Sequence, residues 1–180
     1  MIEVRVQSLG LDRTSNTPVV ILQEASGSRV LPIWIGPGEA SAIAMELAGM
    51  KFSRPLTHDL FSSLITGLGG SLKRVLITKV VENTYYAEMI IQRGGELISV
   101  DARPSDSIAI ALRTSAQIFT SHELLDIAAI ETTDLLDLEQ DDPTQLDLDE
   151  TPTKDAEIKS DELKEYLRRL NPEDFGRFNP

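Results

Sequence analysis

This sequence predicts an α+β domain, with duplicated β-β-β-α units and a mainly antiparallel sheet packed on buried Ala-rich helices. Three observations carry that expectation. Short apolar runs of strand length are joined by brief turn-forming segments. Two helix candidates carry an Ala-Ile-Ala core that is apolar almost all round, the pattern of a helix covered on more than one side. Shifting the chain by 67 residues also lays "PGEASAIAM" (37–45) on "PSDSIAIAL" (104–112), and three strand candidates precede each copy.

The elements follow in order. "IEVRVQ" (2–7) alternates Ile2, Val4 and Val6 against polar neighbours, a strand with one wet face. "VVILQ" (19–23) is continuously apolar and reads as a more buried strand, and "RVLPIWIG" (29–36) as a third. The turns between them are short enough for an antiparallel meander. A helix is expected over 37–50, with Pro37 at its first position and Glu39 at the positive end of its dipole.

A second helix is expected from Thr57, its predicted N-cap, to the stop at Gly69 and Gly70. Leu60, Phe61, Leu64, Ile65 and Leu68 form its apolar face. Strands return over 73–81, 85–92 and 96–102, then a helix over 104–113 and a short strand over 117–120. A further helix over 121–128 is expected to start on a Thr120-x-x-Glu123 capping box.

Composition changes near residue 131. Residues 131–180 carry 16 acidic and 6 basic side chains, against 13 and 11 in residues 1–130, so the net charge of −12 belongs mostly to the C-terminal segment. We expect a domain over 1–130, an acidic flexible linker over 131–158 and an amphipathic helix with its tail over 159–180. Ser160 is the expected N-cap of that helix, Leu163, Tyr166, Leu167 and Leu170 form its stripe, and Asn171-Pro172 stops it. The stripe of helix 160–170 fits either the protein's own core or a protein partner.

Several functions are excluded by residue type. The chain has no cysteine, so no disulfide frame, thiol nucleophile or Cys-based zinc site is available. It has two histidines, His58 and His122, too few for a His-rich metal site. No P-loop, G-x-G-x-x-G, H-E-x-x-H or G-x-S-x-G motif occurs. No basic stripe marks a strong duplex binder. No apolar run approaches the ~18 residues of a membrane span, and the first residues lack a signal-peptide pattern, so the expected location is cytoplasmic.

Two polar clusters carry the candidate chemistry. "SRPLTHDL" (53–60) offers Arg54, His58 and Asp59 at the start of a helix, a set that could hold a phosphate or position a water and a proton. Capping by Thr57, dipole pairing by Asp59 and an ion pair for Arg54 would account for the same residues without any function. "DARPSD" (101–106) offers Asp101 and Asp106, which could share a divalent cation, and Arg103, which could neutralise a phosphate. An ion pair of Asp101 with Arg103 or Arg113, and Asp106 in the first helical turn, would also suffice. The first repeat keeps the helix acid but lacks the counterparts of Asp101 and Arg103, so those two charges exceed what the repeated scaffold needs.

"LPIWIGPGEASAI", "RPLTHDL" and "DARPSDSIAIALR", in this order and spacing, resemble the bifunctional nuclease domain family. The resemblance covers residues 1–130, and "NPEDF" resembles the ending of bacterial members. It implies an α+β fold, a homodimer, and cleavage of both DNA and RNA. It assigns no catalytic residue.

Cutting DNA as well as RNA excludes a 2′-hydroxyl nucleophile, so a water must be activated, either by carboxylate-held metal or by a histidine base with a cationic clamp. With few histidines, the expectation is Mg²⁺ or Mn²⁺ on Asp101 and Asp106. Arg54 and Arg103 would be phosphate clamps, and His58 a base or acid oriented by Asp59. One shared site requires the two clusters to meet in space. The rival expectation is a non-enzymatic dimeric scaffold in which these charges are caps and ion pairs and the C-terminal helix recruits a partner.

Overall fold

Alternation within the strands selects one face of a sheet. Val4 on the first strand, Val20 and Leu22 on the second, and Leu31 and Ile33 on the third are all buried on the same side. In a computed structural model, described over residues 1–12 and 15–128, these strands are β1 (Ile2–Asp12), β2 (Thr17–Glu24) and β3 (Val30–Trp34). Helices α1 (Pro37–Leu47) and α2 (Thr57–Gly67) follow, then β4 (Gly70–Val81), β5 (Thr84–Arg93) and β6 (Glu96–Ala102). The described chain ends with α3 (Pro104–Thr114), β7 (Gln117–Thr120) and a helical segment over 122–128, α4.

The seven strands form one sheet in the order β3-β2-β1-β7-β4-β5-β6. Every pairing is antiparallel except β4 with β7. Two meanders therefore lie side by side, and β7 joins them. The β-β-β-α element order occurs twice, and each of α1 and α3 starts on a proline at its first turn. A proline there sacrifices no helical hydrogen bond, because that N–H has no partner inside the helix.

The helices cover one sheet face. In α3 every residue from Ile108 to Ala111 is buried, and it packs on β4, β5 and β7 with α1 and α2 beside it. Small Ala109 and Ala111 permit that close approach. In α4, Leu124, Leu125 and Ala128 extend the same core.

The structure corrects several local expectations. β1 runs to Asp12 rather than ending near residue 7, because a register shift between Val6 and Ser8 resets its faces and returns Leu9 to the core side. Thr57 is not the cap of α2. The N-cap is Leu56, whose N–H donates to Oδ2 of Asp59 at 2.9 Å, so the cap comes from the third helical residue. Thr120 does not open α4 either. Its hydroxyl lies buried in β7 and donates to the Ile77 carbonyl at 3.3 Å, while Ser121 Oγ accepts from Leu124 N.

α2 departs furthest from expectation. None of its residues is buried, because α3 occupies the middle of the sheet and leaves α2 leaning on α3 and β4 through Ile65. Its tight exit into β4 depends on Gly70, where a Cβ would meet the Ile65 carbonyl oxygen and Ile91 Cγ2, each at 3.1 Å. The expected linker and C-terminal helix, 131–180, lie outside the described residues.

Candidate functional site

Three helix starts and one helix end meet at the candidate site. Arg103 is the N-cap residue of α3, held in extended backbone (φ −71°, ψ 145°), which suits the residue before a proline. Asp106 lies in the first turn of α3, Glu39 in the first turn of α1, and His58 and Asp59 in the first turn of α2. Arg113 comes from the last turn of α3.

The outer part of the cluster centres on Asp106. Its Oδ2 accepts from Arg103 Nε at 2.7 Å, and its Oδ1 lies 3.2 Å from His58 Nε2. Arg103 also reaches Glu39 Oε1 at 2.7 Å, so one arginine bridges the first-turn acids of α1 and α3. The His58 side chain is only 14% exposed and that of Arg103 66%, which puts the arginine at the mouth of the cluster.

The inner part centres on Arg113, whose side chain is 6% exposed. Its Nε donates to Asp59 Oδ1 at 2.5 Å, and its two terminal nitrogens donate to the carbonyls of Ala109 at 2.8 Å and Ala42 at 3.1 Å. One guanidinium thereby ties α1, α2 and α3 together, using the planar fork that only arginine offers.

Burial alone would raise the pKa of both aspartates. In Asp106 the hydrogen bonds from Arg103 and His58 outweigh burial and hold the carboxyl below its ordinary range. In Asp59 the bonds from Arg113 and from the Leu56 N–H do the same. Arg103 is held more firmly protonated by Asp106 and Glu39.

A carboxyl depressed by folding contributes stability that is fully present above its unfolded value, near 3.8, and is lost as pH falls through the lower folded value. Urea unfolding at a series of pH values should therefore show stability declining on the acid side of about pH 4. Asp106→Asn and Asp59→Asn should each flatten that decline. An acid limb unchanged in both variants would show that neither carboxylate carries it.

The structure brings His58, Asp59, Asp106 and Arg103 into one cluster and leaves Asp101 outside it. Asp101 pairs with Glu88 on the sheet face turned away from the helices, while its neighbour Ala102 packs inward. An ion pair of Asp101 with Arg103 or Arg113 is not realised, because both arginines turn to the acids at the helix starts. Asp59 does not hold His58 by a hydrogen bond; the carboxylate against the imidazole is that of Asp106. Arg54 is exposed on the loop before α2 and makes no ion pair among the described residues. Glu39, expected only as a dipole partner, is a further member of the cluster. Among the described residues, no group of three or more His, Asp or Glu side chains converges as a metal cage. Nor is any helix there long and apolar enough to cross a membrane.

A family model described as the bifunctional nuclease domain matches residues 20–133, which places this α+β domain in a class of nuclease domains. An uncharacterized protein of Mycobacterium tuberculosis is 43% identical over 173 residues, covering 96% of this chain and 97% of that protein. Bifunctional nuclease 2 of Oryza sativa subsp. japonica is 28% identical over 116 residues, covering 62% of this chain and 36% of its own. Bifunctional nuclease 1 of Arabidopsis thaliana is 27% identical over 105 residues, 56% of this chain and 32% of that one. The chain belongs to the bifunctional nuclease domain family.

Proposed function

We propose that this protein hydrolyses phosphodiester bonds of DNA and RNA at the His58–Asp106–Arg103 cluster. The 3.2 Å contact between His58 Nε2 and Asp106 carries the reading. An ionised Asp106 keeps the proton on Nε2, which leaves Nδ1 as the basic nitrogen. That nitrogen would take a proton from a water attacking phosphorus, and the P–O bond to the leaving oxygen would break. Arg103, exposed at the mouth, and Arg54, without an ion pair among the described residues, would bind the phosphate. Asp59 acts through α2, whose start it fixes.

The alternative route uses Mg²⁺ or Mn²⁺ on Asp101 and Asp106. The donor arrangement favours the histidine, since Asp101 faces away and Asp106 already meets Arg103 and His58. We place the protein in the cytoplasm as a homodimer.

Purified protein incubated with single- and double-stranded DNA and RNA, with and without EDTA, tests both routes. The expected result is cleavage that survives EDTA and falls in His58→Ala but not in Asp101→Ala. Cleavage abolished by EDTA and by Asp101→Ala would transfer the chemistry to a metal.

One observation favours a second reading. Asp59, Asp106, Arg103 and Arg113 are all satisfied within the protein, as a scaffold requires. In that reading the domain is a non-enzymatic dimeric module and segment 160–170, with its apolar stripe, recruits a protein partner. Equal cleavage by wild type and His58→Ala, signalling a contaminant, would support it.

A further inference from the structure

Among the described residues, β6 is an edge strand without the usual protection. It pairs with β5 alone. An edge leaves the N–H and C=O groups of alternate residues unpaired, and proteins blunt it with proline, lysine, a bulge or a short strand. The other edge of this sheet, β3, is five residues long and carries Pro32. β6 has seven residues with no proline or lysine, and its register with β5 runs unbroken from Glu96 to Ala102. The pairings of β1 with β2 and of β4 with β5 are both interrupted by register shifts.

The helix-side face of that edge is apolar and open. The register sets Ile98 beside Ile91 and Val100 beside Met89, so both point to the side that the helices cover. Yet Ile98 is 40% and Val100 36% exposed, because α3 lies over β4, β5 and β7 rather than over β6. Apolar surface continues from there onto α2. Ile65 and Ile91 both lie against Gly70, and Leu68 follows Ile65 by one helical turn, so Ile98 connects through Ile91 to the half-exposed Leu64 and Leu68. A strand edge with a helix beside it is a setting in which extended peptides add to a sheet: main-chain bonds supply affinity and the alternate side chains specificity.

We infer that β6 takes an extended segment of a partner protein as an added strand, one in which apolar residues alternate with lysine or arginine. The unpaired main chain of an edge calls for another extended backbone, which a helix, a lipid surface or a nucleic acid does not offer. The alternation follows from the two faces of β6. Side chains of the segment beside Ile98 and Val100 meet apolar surface, and those on the other face meet Ser99 and Asp101. Glu88 lies next to both, accepting from Ser99 Oγ at 2.7 Å, so that face carries two acids side by side. The only charges within β6 are Glu96 and Asp101, and a cationic segment complements them across the strands. A second β6 brings the same acids and no cation, and an extended run from the acidic residues 131–158 brings still more acid. The inference does not depend on nuclease chemistry and survives if that reading fails.

The probe is a capped, fluorescein-labelled heptapeptide of alternating lysine and valine, titrated into the full chain and followed by fluorescence anisotropy. Saturable binding with a Kd on the order of 10–100 μM is expected, together with slowed amide exchange over residues 96–102. The same peptide with glutamate for lysine, or with every amide N-methylated, should bind at least about tenfold more weakly, the first for its charge and the second for want of an N–H to donate. Ile98→Lys, which points a charge from the edge as guarded strands do, should weaken binding by a similar factor. Its melting temperature should be kept, because Ile98 is already half-exposed. Asp101→Lys should shift the preference toward the glutamate peptide. Equal binding of the N-methylated peptide, or binding that Ile98→Lys leaves unchanged, would reduce the effect to charge attraction elsewhere on the chain and overturn the inference. No binding at millimolar peptide would overturn it as well. So would self-association of the chain that Ile98→Lys abolishes, which would give the edge to a second copy.

Discussion

Arg113→Ala should lower the unfolding free energy by about 3–5 kcal/mol, the cost of removing one partner from a buried, hydrogen-bonded ion pair. The side chain is 6% exposed and its guanidinium serves three helices at once. Its loss strips the partly buried Asp59 of its main counter-charge and the Ala42 carbonyl of a donor. It also empties space beside the core helix α3. Arg113→Lys keeps the charge but cannot reproduce the fork, so it should cost less than alanine and more than an exposed substitution such as Arg5→Ala. Urea unfolding at neutral pH measures all three. A loss under 1 kcal/mol for Arg113→Ala would mean that the helices are held by apolar packing alone.

His58→Ala should reduce cleavage of single-stranded DNA and RNA by about 10²–10⁴-fold, the usual contribution of a positioned acid or base. Asp106→Asn should lower the rate in the same direction and alter its pH profile, because an amide does not fix which ring nitrogen carries the proton. Arg103→Ala should weaken substrate binding more than turnover if its role is to hold a phosphate. Circular dichroism would confirm that His58→Ala remains folded. Full activity in a folded His58→Ala variant would remove this histidine from the chemistry.

Local patterns foretold the strands and the two proline-led helices because these depend on neighbours in sequence. Alternation in "IEVRVQ" and the Ala-Ile-Ala cores of α1 and α3 report directly which side of an element is covered. The caps were less legible: Thr57 and Thr120 have the right chemistry, but tertiary contacts gave the task to Asp59 and Ser121. Two polar motifs far apart in sequence did meet, as a shared site requires. Which charges would meet was not legible. Arg113 and Asp59 are 54 residues apart, and no spacing rule links them. Asp101 attracted notice because the first repeat lacks it, yet strand alternation turns it to the opposite sheet face from Ala102. The exposure of α2 was hidden for a related reason: a stripe shows that a face wants cover and does not show whether the same chain provides it.

The place of β7 in the sheet also sets an order of events during synthesis. The last of the described strands sits in the middle, paired with β1 on one side and β4 on the other. A nascent chain that has not yet passed residue 120 can form two three-stranded meanders, but their inner edges remain open. Open edges are where strands of other chains add, so the interval before β7 emerges is when the polypeptide is most exposed to misassembly. Insertion of β7 closes contacts more than a hundred residues apart, between Ile2 and Thr120. Long-range closure of that kind is slow, so completion of the sheet is the step of folding that this topology delays.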